Sequence, residues 1–411
     1  MAVAAPTVTV FFGLTAAADL FFVLDDDDRG ELNQATYLLA GDVGTNISAA
    51  AHHISIARGR SRDLDEITTG TCGIDIHNQD RAFDPLYTAG PYYGNLRPGK
   101  QVTVSIYGVT IFAGVVDDWG QGFTANREAE AALFAVDSLG RLARREFDEW
   151  TTTADQTAGP RITDVLNRAE VAWGANRDIG TGISTLQADL VTHGSNVLNY
   201  LQLVAASDLG RLFDSRSGVL TFKDRHDVIT AGVVASFADD GSGLAFSGAQ
   251  PRSTSELFFN RVTVDREGGI AQTSTDVAAG EADDIRALST VDLLLADDTQ
   301  SAEMADYLLS LYVEPDERIA QLEIQVSRLA PGDQATVAAI DIGNIVNVVW
   351  TPADVGTAID VDLVVEGVAH ELDIGAGHVM WLSLSNTAQR LAGFVLDSVT
   401  TGVLDTNVLT F

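Results

Sequence analysis

From Ile54 to Val136 apolar residues recur at every second position in short runs: Ile54 and Ile56, Ile74 and Ile76, Val102, Val104 and Ile106, then Val109 and Ile111. A side-chain period of two collects such residues on one face of a pleated strand and scatters them around a helix. The runs break at Ala89-Gly90-Pro91, Arg97-Pro98-Gly99 and Tyr107-Gly108, all of them turn signals. Several short strands separated in this way predict a sandwich or barrel, and we expect a small antiparallel barrel here.

After Ser138 the period lengthens. Ile162, Val165, Leu166 and Ala169 fall at i, i+3, i+4 and i+7, and Val197, Tyr200, Leu201 and Val204 repeat that template behind Ser195 or Asn196 as cap. Two helices are expected, followed by a hairpin between Leu212 and Phe222 that turns over Asp214 to Gly218. A Gly- and Ser-rich passage, Asp239 to Ser255, marks a boundary. Beyond it alternation returns at Val262 and Val264, gives way to a helix carrying Met304, Tyr307, Leu308 and Leu311, and resumes at Leu322, Ile324 and Val326. Further strands are expected at Ile345 to Val349, at Val361 to Val368, and through Met380, Leu382 and Leu384.

A chain of 411 residues exceeds what one core usually serves, so several domains are expected. The patterning gives a mainly β fold with an α+β insertion. It comprises an arm with a strand-turn segment over 1–44, a first β-barrel over 45–150, a helix-plus-hairpin domain over 151–245, a second β domain over 246–390, and an arm over 391–411. The two arms echo one another, FVLDDDDRGEL (Phe22 to Leu32) against FVLDSVTTGVL (Phe394 to Leu404). We expect both to dock by strand addition on equivalent sites, through Phe22, Leu24, Asp25, Phe394, Leu396 and Asp397.

Charge narrows the function. The formal net charge is −33, and Lys100 and Lys223 are the only lysines, so a chain that grips nucleic-acid phosphates is not expected. Cys72 is the sole cysteine, which excludes an intrachain disulfide and a cysteine-based zinc site; its place before Ile74 and Ile76 makes it a buried strand residue. The apolar stretch Thr7 to Leu24 is interrupted by Asp19, abuts Asp25 to Asp28 and has no basic residue before it, which argues against a spanning helix and a signal peptide. Alternation of Val8, Val10 and Phe12 predicts a strand instead.

No catalytic constellation emerges. His370-Glu371 is followed by His378 eight positions on, too far for the one-face geometry of HExxH, so these are read as surface or interface residues of a strand. His52 and His53 are adjacent on a strand and point to opposite faces, a poor arrangement for one shared metal. Asp25, Asp27 and Gly30 imitate a calcium loop, but Arg29 and Thr36 stand where ligands belong. Nucleophile-elbow, Walker and dinucleotide fingerprints are missing, so no catalytic residue, cofactor or metal ligand is assigned. Arg58, Arg60 and Arg62, followed by Asp63, Asp65 and Glu66, form the one local concentration of positive charge. We expect an intersubunit clamp there, because guanidinium forks pair bidentately with carboxylates.

Around that cluster a longer pattern runs. Arg58-Gly59-Arg60 ends a strand, Gly70-Thr71 enters the next, and Asn78, Asp80, Arg81, Phe83, Asp84 and Pro85 form an Asn-x-Asp-Arg-x-Phe-Asp-Pro corner. Pro98-Gly99 follows, then Phe112-x-Gly114 and an acidic close at Trp119. In this order and spacing the elements resemble the opening barrel of tail hub proteins, the minor tail or baseplate hub proteins of long-tailed phages of actinobacteria. A thinner resemblance continues to the C-terminus. It implies two tail-tube-like barrels flanking the helix-plus-hairpin domain, and a homotrimer whose six barrels form a ring at the virion tail tip. It also implies contacts with the distal tail protein, the tape measure protein and tip or fibre proteins, assembly in the host cytoplasm, and no membrane insertion. DNA would pass the channel without specific binding. Three other readings stay open: a hexameric distal tail adaptor, an acidic carbohydrate-binding protein, and a cell-wall-degrading tail protein.

Overall fold

All but one of the period-two segments become strands of a single sheet. The computed structural model describes residues 5–12, 44–123, 128–174, 176–227, 231–253, 257–278, 284–313 and 317–386. In its first part the sheet holds β1 (Thr7–Phe11), β2 (Thr45–Asn46), β3 (Ala51–Gly59), β4 (Thr68–His77), β5 (Gln101–Ile106), β6 (Val109–Phe123) and β7 (Ala129–Val136). Its second part holds β8 (Val233–Ala238), β9 (Gly248–Ser253), β10 (Glu317–Ile324), β11 (Ile345–Trp350), β12 (Ile359–Asp373) and β13 (Gly377–Asn386). The strand order is β9-β10-β13-β12-β3-β4-β7-β6-β5-β1-β2, with β11 also on β12 and β8 on β11.

Two cores line this sheet. Ile54, Ile74, Val104, Phe112 and Leu133 pack in the first, Phe237, Leu322, Val348, Val365 and Leu382 in the second. Each such side chain contributes roughly 1.5–3 kcal/mol by leaving water. Val8, Val10 and Phe12 are fully buried, and β1 pairs along β5, so the start of the segment expected as an arm is part of the first core.

The hinge of the architecture is β12. Its residues 359–364 pair with β11 and its residues 367–373 with β3, while β13 runs along its other edge. The register slips between Val365 and Gly367, which leaves Glu366 as the extra residue of a bulge at the handover. Gly59 and Gly367 face each other there. Gly59 has φ +92°, and a Cβ on it would meet the Glu366 carbonyl oxygen and lie 2.7 Å from Gly367 Cα. A Cβ on Gly367 would lie 2.5 Å from the Arg60 carbonyl oxygen, so both positions need glycine.

Two expectations change. Among the described residues no closed barrel forms; the two β regions are fused edge to edge because one fifteen-residue strand serves both. The second region also divides. Val262 and Val264 are fully buried, but their strand Arg261–Arg266 belongs to a separate three-stranded sheet with Gln272–Thr275 and Ala287–Leu293. That sheet packs a core of its own against the helix Asp298–Tyr312 through Met304, Leu308 and Leu311.

The middle region follows its pattern more closely. α1 (Ser138–Leu142), α2 (Ala158–Asn167) and α3 (Val197–Ser207) pack with a hairpin of Arg211–Asp214 and Leu220–Lys223, in which Leu212 faces Phe222. Asn196 caps α3, its side chain accepting from the Asn199 N–H at 3.1 Å. Ile162, Val165 and Leu166 are fully buried; Ala169 lies past the Arg168 cap and outside the helix. No helix among the described residues is long and apolar enough to cross a membrane.

Candidate functional site

The Asn78 to Pro85 corner builds itself from short polar side chains. Asn78, fully buried, accepts from the Phe83 N–H at 2.9 Å and donates to Gln121 Oε1 at 3.0 Å, while Gln121 donates back to the Phe83 carbonyl at 2.7 Å. Asp80 accepts from the Ala82 N–H, and Asp84 from the Leu86 N–H and from Arg81. The Leu86 N–H and the Arg81 guanidinium hold the Asp84 carboxyl below the usual carboxylate range, although burial opposes them. The product is a seat for Phe83, which meets Tyr92 at 5.2 Å and Trp119 at 6.3 Å, with Phe12 stacked on Tyr92 at 4.5 Å. The corner is therefore a packing device.

The arginine cluster points inward. Arg60 donates to Glu366 at 2.7 Å and to Asp63 at 2.8 Å; Arg211 of the hairpin reaches the other Glu366 oxygen at 2.8 Å, and Ser385 of β13 donates to that oxygen at 2.6 Å. Tyr312 donates to Asp63 at 2.5 Å. Arg58 donates to Asp341 at 2.8 Å and to the Asp214 carbonyl at 3.2 Å. The fully buried Glu366 thus joins the main sheet to the middle region, and Asp63 adds the separate α+β unit. Burial, despite the bonds from Ser138, raises the Asp214 carboxyl. Burial and then the Asp214 charge push Asp137, the cap of α1, up to about 7.

Arg58 and Arg60, expected as an intersubunit clamp, are nearly buried, and the acceptors named above belong to the same chain. Desolvated guanidiniums need carboxylates within reach, and the bulge supplies one. Arg62 is the more exposed member, paired with Asp65 at 3.0 Å. Phe22, Leu24, Asp25, Phe394, Leu396 and Asp397 lie outside the described residues, as does the Asp25 to Asp28 run.

The histidines are arranged differently from their sequence expectation. His370 is buried, and its Nδ1 lies 3.0 Å from His378 Nε2 because the β12–β13 hairpin brings two positions eight apart side by side. Burial holds His378 down to about 4 and holds His370 well below the usual imidazole range, with the His378 and Arg58 charges adding to the latter. Tyr107, from the β5–β6 turn, stacks on His378 at 5.7 Å. His52 and His53 separate at a bulge in β3: His53 meets Asp373 at 2.8 Å, and His52 stacks on His77 at 4.2 Å. Cys72 is buried, which pushes its thiol up and leaves it inert. A largely apolar cavity of about 540 Å³ opens between α3, the β3–β4 loop and the α+β unit, lined in part by Leu64, Leu203, Leu288 and Leu311, with Arg60 and Asp63 also on its wall.

Two solved structures share this architecture over nearly their whole length. The 43 kDa tail protein of prophage MuSo2 from Shewanella oneidensis matches with a TM-score of 0.58 at 16% identity, covering 85% of this chain and 98% of that one. The tail protein from Neisseria meningitidis MC58 matches with a TM-score of 0.60 at 13% identity, covering 94% and 98%. No protein-family model matches the sequence, and no curated protein matches it. At these identities the likeness defines the fold: a mainly β phage tail protein fold. Nothing in it is specific to phages of actinobacteria.

Proposed function

We propose that this chain is a structural phage tail protein, a hub that forms a ring at the tail tip, joins the tail tube to the distal tail and tip proteins, and surrounds the DNA channel. The observation that carries this reading is the fold match along 85% and 94% of the chain to two tail proteins. The motif residues support it, because Arg58-Gly59-Arg60 and the Asn78 corner set the backbone of that fold. In this reading 45–150 and 246–390 supply two tube-like halves, 151–245 braces them, and the arms assigned to 1–44 and 391–411, apart from the β1 segment docked in the first core, serve contacts with neighbouring subunits.

Open strand edges fit a ring. Among the described residues β9 ends the sheet on one side, with Gln250 and Arg252 exposed, and β8 ends the branch through β11. A cyclic homotrimer closes such edges with identical copies. A strongly acidic wall lets DNA pass without adhering, and no catalysis is required.

The test is the mass and symmetry of the purified chain by light scattering and electron microscopy, with labelled copies located on tails. Three copies in a ring at the tip support the hub. Six copies identify a distal adaptor. A monomer absent from tails, or one that binds glycan or releases peptidoglycan, overturns the reading.

A further inference from the structure

We propose that His52, His77 and Glu130 form a binding site for one divalent transition-metal ion of the zinc or nickel class. The three residues stand on neighbouring strands β3, β4 and β7, and one ligand atom from each lies within 4.8 Å of the others. Among the described residues this is the one group of three or more His, Cys, Asp or Glu side chains so arranged.

The backbone holds the triad firmly. His77 and Glu130 are direct register partners, the His77 N–H donates to the Ala50 carbonyl at 2.8 Å, and the His52 carbonyl accepts from Ile374 at 3.0 Å. His52 is the extra residue of the bulge between Ala51 and His53, and its ring stacks on His77. The two imidazoles are stacked nearly parallel, 16° apart, with centroids at 4.2 Å, so the exposed His77 ring rotates off the stack to bring both lone pairs onto one ion. His52 Nδ1 is buried and has no hydrogen-bond partner among the described residues. A buried ring nitrogen in that condition is costly, and coordination is one way to satisfy it.

The donor set selects the ion. Two imidazoles and one carboxylate suit zinc, nickel or copper, whereas calcium and magnesium prefer all-oxygen shells. A tetrahedral ion with bonds of about 2.0–2.1 Å needs donor atoms about 3.4 Å apart, so the triad closes by roughly an ångström. Glu130 and His77 are exposed to solvent, which leaves their side chains room for that movement. Three protein ligands leave a coordination position open to water. The site lies away from the Glu366 junction, and its reality does not depend on the tail reading.

The experiment is calorimetric titration of the full untagged chain with ZnCl2 and with NiCl2, alongside Co2+ absorption spectra. One equivalent should bind, and His52→Ala, His77→Ala and Glu130→Gln should each weaken it by about tenfold or more. His53→Ala and His193→Ala should leave it unchanged. Zinc should raise the melting temperature of the parent chain and not that of His77→Ala. Glu130→Gln sits on an exposed strand position, so it keeps the test valid if a histidine variant misfolds. Absence of one-to-one binding, or equal binding by parent and Glu130→Gln, overturns the proposal.

Discussion

Glu366→Gln keeps the shape of the side chain and removes its charge, which makes it the sharpest probe of the junction. Glu366 is 0% exposed, and the side chains of Arg211 and Arg60 are 2% and 10% exposed. Breaking a buried pair by removing one partner costs about 3–5 kcal/mol, because the remaining charge stays desolvated. Arg60 keeps Asp63 at 2.8 Å, so the loss falls toward the lower end, about 3 kcal/mol. Replacing both sides, as Glu366→Met with Arg211→Met, removes the stranded charge together with its partner and should recover most of that loss. Urea unfolding of the single and double variants measures both values. Since a chain with several cores need not unfold in one step, hydrogen exchange at the Arg60 amide, which donates to the Glu366 carbonyl at 2.9 Å, reads the same junction locally. A single variant within about 1 kcal/mol of the parent, or a double variant no better than the single, would refute the argument.

The buried histidines make stability fall in acid. Both have native values below the usual 6.5, so the unfolded chain takes up protons first, and stability drops from about pH 6.5 downward until His378 itself titrates at about 4, a loss of roughly 3 kcal/mol from that residue. His378→Leu should flatten the melting temperature over that window, and an unchanged slope would count against it. Gly59→Ala should cost clearly more than Gly94→Ala: both have positive φ, worth about 1–2 kcal/mol, but only Gly59 also collides with β12. Equal melting temperatures for the two variants would dispose of the close-approach account. Asn78→Ala should cost about 2 kcal/mol through the lost bonds to Phe83 and Gln121, read by urea midpoint. Arg62→Ala, on an exposed pair, should change the same midpoint by less than about 1 kcal/mol.

What could be read from the sequence was periodicity. Ile54, Ile74, Val104, Met380 and Leu382 alternate because one sheet face is buried, and Val165 with Leu201 follows the helix period because one helix face is. Pairing partners were not legible, since alternation states which face is inside and not which strand lies alongside; that is why Val262 was grouped with the later strands of the second β domain and two barrels were expected where, among the described residues, one branched sheet forms. His370 and His378 failed for a related reason. Eight residues span about 12 Å along a helix, too far for the two rings to meet, but a hairpin turning at residues 374–376 makes the same spacing a direct encounter. Glu366 carried no signal beyond being an acid within an apolar run, Val364-Val365-Glu366-Gly367-Val368. An ionisable residue flanked in that way, with Gly next to it, was the available clue to a buried pair and a bulge.

The residues that carried the resemblance are those whose geometry admits few substitutes. Gly59 is fixed by a positive φ and a strand in contact; Arg58 and Arg60 are fixed by carboxylates contributed by Asp341, Asp63 and Glu366; Asn78 is fixed by two bonds in a fully buried corner. None of these positions faces a substrate or a channel by virtue of those contacts. A motif of this kind reports how the backbone is built, which is why a fold can be shared at 13–16% identity while the outer surface is free to change. In the proposed assembly, specificity for neighbouring subunits is therefore carried elsewhere, on exposed edges such as β9 and on faces such as that of His52, His77 and Glu130. Substitutions there should alter assembly or ion binding without altering the fold.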